Sequence, residues 1–150
     1  MIATRPTLLL VEDSADDEAL SLRAISQCGI PCDVEVVRHG VDALHMLLTP
    51  NGPRIDLVVL DFHLPGFNGL EILKFLRKNG ATSQAPIVML STLQSDQQVS
   101  DCLAEGARSF VRKPDDPQAY FDQVGLIVRY WLTVDQSATP GSPIPAKESL

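Results

Sequence analysis

Leu57-Val58-Val59-Leu60 is an unbroken apolar run that stops at a carboxylate, Asp61, and leads into Pro65-Gly66 and Asn68-Gly69. A run this short, β-branched in its middle and followed by turn-forming pairs, predicts a strand buried on both faces. Such strands belong to parallel sheets flanked by helices, because both sides of the sheet then need apolar cover. A charge at the C-terminal tip of the strand stands where open α/β sheets form their ligand sites. Asp61 is therefore the residue around which the other segments are read.

The same pattern recurs along the chain. Leu8-Leu9-Leu10-Val11 predicts a second buried strand, with Glu12 and Asp13 at its tip. Ser14 is the expected N-cap of a helix over 15–27, with Asp17 three residues on to close a capping box. Its inward face is expected at Ala19, Leu22 and Ile25-Ser26. The first-turn acids Asp16, Asp17 and Glu18 are accounted for by the helix dipole. Val34 to Val37 alternates as an edge strand does, and Gly40 introduces a helix over 41–48 with Val41, Leu44, His45 and Leu48 at i, i+3, i+4 and i+7, His45 being a polar member of that helix. A third helix is expected over 69–78, and Pro86 to Thr92 reads as a buried strand ending in hydroxyls. Ser95 or Asp96 caps a helix reaching Glu105, and Ser109 to Arg112 forms a short strand with Lys113-Pro114 at its tip. A last helix spans about 117–132.

Strands alternating with helices in this way predict an α/β fold with right-handed crossovers: a doubly wound, five-stranded parallel sheet of order 2-1-3-4-5, flavodoxin-like. Residues 1–135 form this domain, and the polar, Pro-rich stretch 136–150 is expected to be an extended or disordered tail. Twelve basic residues against nineteen acidic ones give a net charge of −7, which argues against a nucleic-acid surface. Cys28, Cys32 and Cys102 show no C-x-x-C spacing and read as reduced thiols of a cytoplasmic protein. No apolar run reaches membrane-spanning length, and the N-terminus has no secretory pattern.

In a parallel sheet the C-terminal strand ends share one edge, so Glu12-Asp13, Asp61, Ser91-Thr92 and Lys113 are expected to converge. Carboxylates about 4 Å apart repel by roughly 4 kcal/mol per pair at an effective dielectric near 20. A hard divalent cation relieves that repulsion, and an oxygen-rich carboxylate set suits Mg²⁺ together with phosphate oxygens. A lysine and a hydroxyl suit the other oxygens of a phosphoryl group, and a carboxylate is a competent phosphoryl acceptor.

These residues, in this order, resemble the response-regulator receiver domain of two-component signalling over about 7–132. The pieces are the acidic pair after strand one, Asp-x-x-Leu-Pro-Gly-x-x-Gly from Asp61, the hydroxyl after strand four, and Phe110-x-x-Lys113-Pro114. The resemblance implies that Asp61 takes a phosphoryl group from a histidine kinase, with Lys113, Ser91 and Thr92 completing the reactive site. It implies that Mg²⁺ is bound by Glu12, Asp13, Asp61 and the backbone carbonyl of His63. It further implies that Phe110 turns inward when Ser91 moves, that the Lys113-Pro114 bond is cis, and that the protein is not a turnover enzyme.

Thr92 departs from the pattern, since Ala or Gly is usual after the switch hydroxyl, and its bulk is expected to narrow access to Asp61. The His63 ring is expected to flank the pocket without binding metal, with Leu93 opposite. Arg38-His39-Gly40-Val41-Asp42-Ala43-Leu44, Leu90-Ser91-Thr92 and Tyr130-Trp131-Leu132 also resemble the stand-alone receivers that serve bacterial phytochrome kinases. On the last helix, Tyr120, Phe121, Val124, Ile127, Val128 and Trp131 form the core-facing arc, leaving Leu126 and Tyr130 as candidates for a homodimer contact. The alternative is a pseudo-receiver, folded but never phosphorylated, acting as a protein-interaction module. A flavodoxin-type carrier would need a Ser/Thr/Gly-rich phosphate loop where Glu12-Asp13-Ser14-Ala15-Asp16-Asp17 stands.

Overall fold

The structure is a computed structural model that describes residues 5–81, 85–92 and 95–133. The expected tail and Leu93 lie outside the described residues. The elements run β1 (Thr7–Val11), α1 (Ala15–Gln27), β2 (Asp33–Val37), α2 (Gly40–Leu48), β3 (Leu57–Asp61), α3 (Gly69–Lys78), β4 (Ile87–Ser91), α4 (Asp96–Ala104), β5 (Ser109–Arg112) and α5 (Pro117–Thr133). All neighbouring strands pair in parallel, in the order β2-β1-β3-β4-β5. The doubly wound expectation holds.

The period-two geometry of strands sorts the apolar runs into two cores, one on each face of the sheet. Leu9, Val11, Val58, Leu60, Met89 and Phe110 point to one side and pack with Ile72, Leu73 and Leu76 of α3 and Val99 and Cys102 of α4. Leu8, Leu10, Leu57, Val59, Val88 and Val111 point to the other, against Ala24 and Ile25 of α1 and Tyr120, Val124, Ile127 and Val128 of α5. Every residue of β3 and β4 is buried, as unbroken apolar runs require. The edge strand β2 alternates between exposed and half-buried positions.

Local chemistry fixes the helix starts. Asn68 accepts from the Glu71 amide while the Glu71 carboxylate accepts from the Asn68 amide, a complete capping box on α3. Ser95 caps α4, and Asp116 accepts from the Ala119 amide ahead of Pro117 on α5. Gly69 permits the close approach of α3 to the sheet, since a Cβ there would lie 2.6 Å from Met89 Sδ and 3.0 Å from Phe62 Cα.

Two inward faces differ from the sequence reading. On α1 the buried residues are Ser21, Ala24 and Ile25, whereas Ala19 and Ser26 are exposed. A serine is accommodated because its hydroxyl lies 3.0 Å from the Tyr120 hydroxyl, so neither polar group is left unpaired. On α2, Gly40 and Ala43 are buried, while Val41 is 53% exposed; His45 is exposed, in keeping with a polar member of the helix. A Cβ on Gly40 would stand 2.7 Å from Ile72 Cδ1, so small residues form the contact and larger ones are turned out. All three cysteines are free.

The glycines give a test of this packing. Gly69→Ala should lower the unfolding free energy in urea by about 1–3 kcal/mol, through overpacking against Met89 and the Phe62 backbone. Gly125→Ala, in the interior of α5 with its nearest neighbour at 3.7 Å, should instead raise it by about 0.5–1 kcal/mol.

Candidate functional site

Register brings the strand tips together. Val11 lies opposite Leu60, so Glu12 and Asp13 emerge beside Asp61. Asp61 lies opposite Leu90, which puts Ser91 next along the rim, and Ser91 lies opposite Arg112, which delivers Lys113. Backbone bonds hold the ends in place: Glu12 N to Val37 O at 3.0 Å, Phe62 N to Leu90 O at 2.7 Å and Lys113 N to Ser91 O at 2.8 Å. One carboxylate oxygen from each of Glu12, Asp13 and Asp61 lies within 4.8 Å of the others. Glu12 and Asp61 are buried and Asp13 is exposed, so the set opens to solvent through Asp13.

Lys113 partly neutralises the buried part of this cluster. Its side chain is 6% exposed, and Nζ donates to Glu12 Oε1 at 2.9 Å and to Asp17 Oδ2 at 2.8 Å, with Asp61 Oδ2 at 3.5 Å. The Tyr120 ring centroid lies 5.4 Å from the ammonium. Burial pushes the Glu12 carboxyl up to about 7, helped by the charge of Asp61, and the opposing pull of Lys113 does not cancel it. Burial alone would weaken the Lys113 ammonium, but Tyr120, Asp61, Asp17 and Glu12 reverse that and hold its pKa above the ordinary value. The lysine is thus firmly charged, while the carboxylates still lack a full complement of positive charge.

Asp17 is the residue that sequence reasoning missed. Ser14 Oγ accepts from the Asp17 amide at 3.3 Å, as a cap should. The reciprocal half of the expected capping box does not form, because Ser14 N donates to Glu12 Oε2 at 3.2 Å and the Asp17 carboxylate turns to Lys113. A full ammonium charge is the stronger attraction for a carboxylate than a backbone amide. The only signal in the sequence was the acid's place one helical turn from the Glu12-Asp13 tip, and the dipole explanation absorbed it.

On the other side of Asp61, the His63 amide donates to Asp61 Oδ1 at 3.2 Å. The His63 ring reaches across the pocket, with Nε2 3.3 Å from Ser91 Oγ. The ring also meets Phe62 edge-on at 5.1 Å, and Phe62 lies 6.4 Å from Phe110. Ser91 is fully buried and Thr92 is exposed at the rim beyond it. Phe110 is inward and fully buried. Burying a ring of this size is favourable by about 1.5–3 kcal/mol, which is sufficient reason for it to lie within the core in this state. No peptide bond among the described residues is cis, so Lys113-Pro114 is trans, the form an X–Pro amide prefers by about 0.5–1 kcal/mol. Leu126 is 40% exposed on α5, and the half-buried Tyr130 packs edge-on against Trp131 at 5.0 Å, both away from the rim.

Three hard carboxylates open on one side fit a divalent cation. A buried acid whose neutral form is favoured over the usual range gives such a cation something to stabilise. A parallel sheet that gathers a cation-type acidic set, a charged lysine and a buried hydroxyl on one rim defines the receiver class of α/β domain. The response regulator receiver domain family matches residues 8–124, and the chain belongs to that family. Among relatives, the two-component response regulator ARR7 of Arabidopsis thaliana is 30% identical over 124 residues, covering 76% of this chain and 59% of ARR7. The chain therefore spans less than two thirds of that relative's length.

Among solved structures, the phosphorylated cyanobacterial phytochrome response regulator RcpA has a TM-score of 0.80 at 27% identity, covering 93% of this chain and all of RcpA. The Mn²⁺-bound form of response regulator Rcp1 has a TM-score of 0.78 at 26% identity, covering 91% of this chain and 99% of Rcp1. Receiver domains are signalling modules of two-component systems and not turnover enzymes. No helix among the described residues is long and apolar enough to cross a membrane.

The lysine's part in holding the fold can be measured. Lys113→Met leaves Glu12 buried and unpaired, and should lower the stability of the metal-free protein by about 3 kcal/mol in urea denaturation. Adding Asp61→Asn to that variant should recover part of the loss, because it removes one of the two buried like charges.

Proposed function

We propose that this chain is a phosphoacceptor that receives a phosphoryl group on Asp61 from the phosphohistidine of a histidine kinase, in the cytoplasm. The observation that carries the reading is the placement of Lys113 Nζ 3.5 Å from Asp61 Oδ2, beside three carboxylates within 4.8 Å of one another. An Asp61 carboxylate oxygen attacks phosphorus, and the phosphorus–nitrogen bond breaks. Its electron pair stays on the imidazole, which takes a proton from solvent. Lys113 pairs with the charge on the transferring oxygens, as phosphoryl transfer requires. Glu12, Asp13, Asp61 and the His63 carbonyl would hold Mg²⁺, which would supply the remaining charge neutralisation. In the separate hydrolysis step, water attacks phosphorus, the carboxylate of Asp61 leaves with the bonding pair, inorganic phosphate departs, and the water's proton passes to solvent.

The signal in this reading is a population shift. Phosphoryl oxygens offer the Ser91 hydroxyl a charged acceptor, and turning to it draws Ser91 away from its contact with the His63 ring. Release of His63 frees Phe62, which lies between His63 and Phe110. The likeness to the phytochrome response regulator RcpA supports a bacteriophytochrome as the kinase. A homodimer contact through Leu126 and Tyr130 belongs to the same proposal and rests on the exposed Leu126.

Incubation with Mg²⁺ and acetyl phosphate should add one phosphoryl group, base-labile and seen by mass spectrometry, and Asp61→Asn should abolish it. A wild-type protein that never gains this mass would be a pseudo-receiver instead. For the dimer, light scattering should show wild-type mass falling to the monomer in Leu126→Glu/Tyr130→Glu. An unchanged mass would remove that contact.

A further inference from the structure

The lysine at the rim has more anionic company than a phosphoacceptor site needs. Glu12, Asp13 and Asp61 account for a divalent cation. A fourth carboxylate, Asp17, makes the shortest contact to Lys113 Nζ, at 2.8 Å against 2.9 Å for Glu12 and 3.5 Å for Asp61. Asp17 is fixed in place from its own backbone, which donates to Ser14 Oγ at 3.3 Å in the first turn of α1. That helix is tied to α5 by the Ser21–Tyr120 hydroxyl pair at 3.0 Å, and Tyr120 in turn faces the ammonium. The carboxylate forgoes its half of a capping box to make this contact.

We infer that Asp17 is a positioning residue for Lys113: it draws the ammonium back from Asp61 and competes with the phosphoryl group for it. The inference rests on the phosphoacceptor reading of Asp61 and deepens it. An ammonium has three N–H donors, and here two of them go to Glu12 and Asp17. A cation at the rim draws on Glu12, which belongs to its ligand set, but not on Asp17. Asp17 is therefore the standing rival of any phosphoryl oxygen on Asp61. The pair is poised for exchange. The lysine is 6% exposed, but the Asp17 side chain is 31% exposed, so water can re-solvate that carboxylate when the lysine turns to phosphate. Asp17 sets how much of the lysine's charge reaches the transferring group, and hence the rate of phosphoryl transfer.

The test compares Asp17→Asn with Asp16→Asn, which removes the same charge one residue away at an exposed position. With Mg²⁺ and acetyl phosphate, Asp17→Asn should take up phosphoryl about three- to tenfold faster than wild type, the effect expected when one partner of a charge-assisted hydrogen bond is removed. Asp16→Asn should stay near the wild-type rate, and Asp17→Asn should bring no gain in a Lys113→Met background. In the metal-free protein, the ¹H–¹⁵N signal of the Lys113 ammonium should be visible in wild type and Asp16→Asn, and lost in Asp17→Asn.

An unchanged or slower rate in Asp17→Asn overturns the inference. So does an equal gain in Asp16→Asn, or a gain that persists without Lys113. If wild type takes up no phosphoryl group, it is the phosphoacceptor reading that fails. The ammonium signal then decides by itself whether Asp17 positions Lys113.

Discussion

A sheet buried on both faces has little room for charge except at the rim where its strands end. In this chain β1, β3 and β4 carry almost nothing but aliphatic side chains until their last positions. Parallel pairing then gathers every polar tip onto one edge, and the register decides which tips touch. The price is a buried like-charge cluster, which the fold offsets with one lysine threaded between Glu12, Asp17 and Asp61. Removing either the sheet's double cover or that lysine would leave the carboxylates with no reason to stay together.

Most of the fold was legible because burial on two faces writes a simple pattern. Leu57 to Leu60 and Leu8 to Val11 are strands by composition and length, and the helix-start signals at Ser14 and Ser95 are local. The strand order follows from alternation and crossover handedness. The faces of α1 and α2 were less legible. Apolar periodicity cannot anticipate a buried serine whose hydroxyl is answered by a tyrosine on a distant helix, as Ser21 is by Tyr120. Nor can it anticipate that Gly40, with no side chain at all, makes the tightest approach of α2 to Ile72.

The site shows the same division. Asp61, Glu12, Asp13, Ser91 and Lys113 were readable because each directly follows, or ends, a strand. Asp17 was not, because its role comes from the docking of α1 on the sheet, which no local spacing reports. The His63 ring was expected at the pocket's flank, but its partner there was not legible. Its contact with Ser91 depends on the path of the β3–α3 loop, which the Gly69 amide closes by donating to Phe62 O at 2.8 Å. Long-range partners chosen by tertiary packing are what a linear reading loses first.

The sheet also works as a partition. Aliphatic side chains on its two sides belong to separate cores that do not share neighbours through the strands' interior. Sequence drift in one compartment therefore leaves the other's packing undisturbed, and substitutions on opposite sides should behave independently. The compartments communicate at the open rim, where Tyr120 from one side approaches Lys113 while Phe62 and Phe110 from the other stand behind His63. Each core thus has aromatic side chains at that seam, so substitutions there, unlike those in the strands' interior, are expected to couple across the sheet.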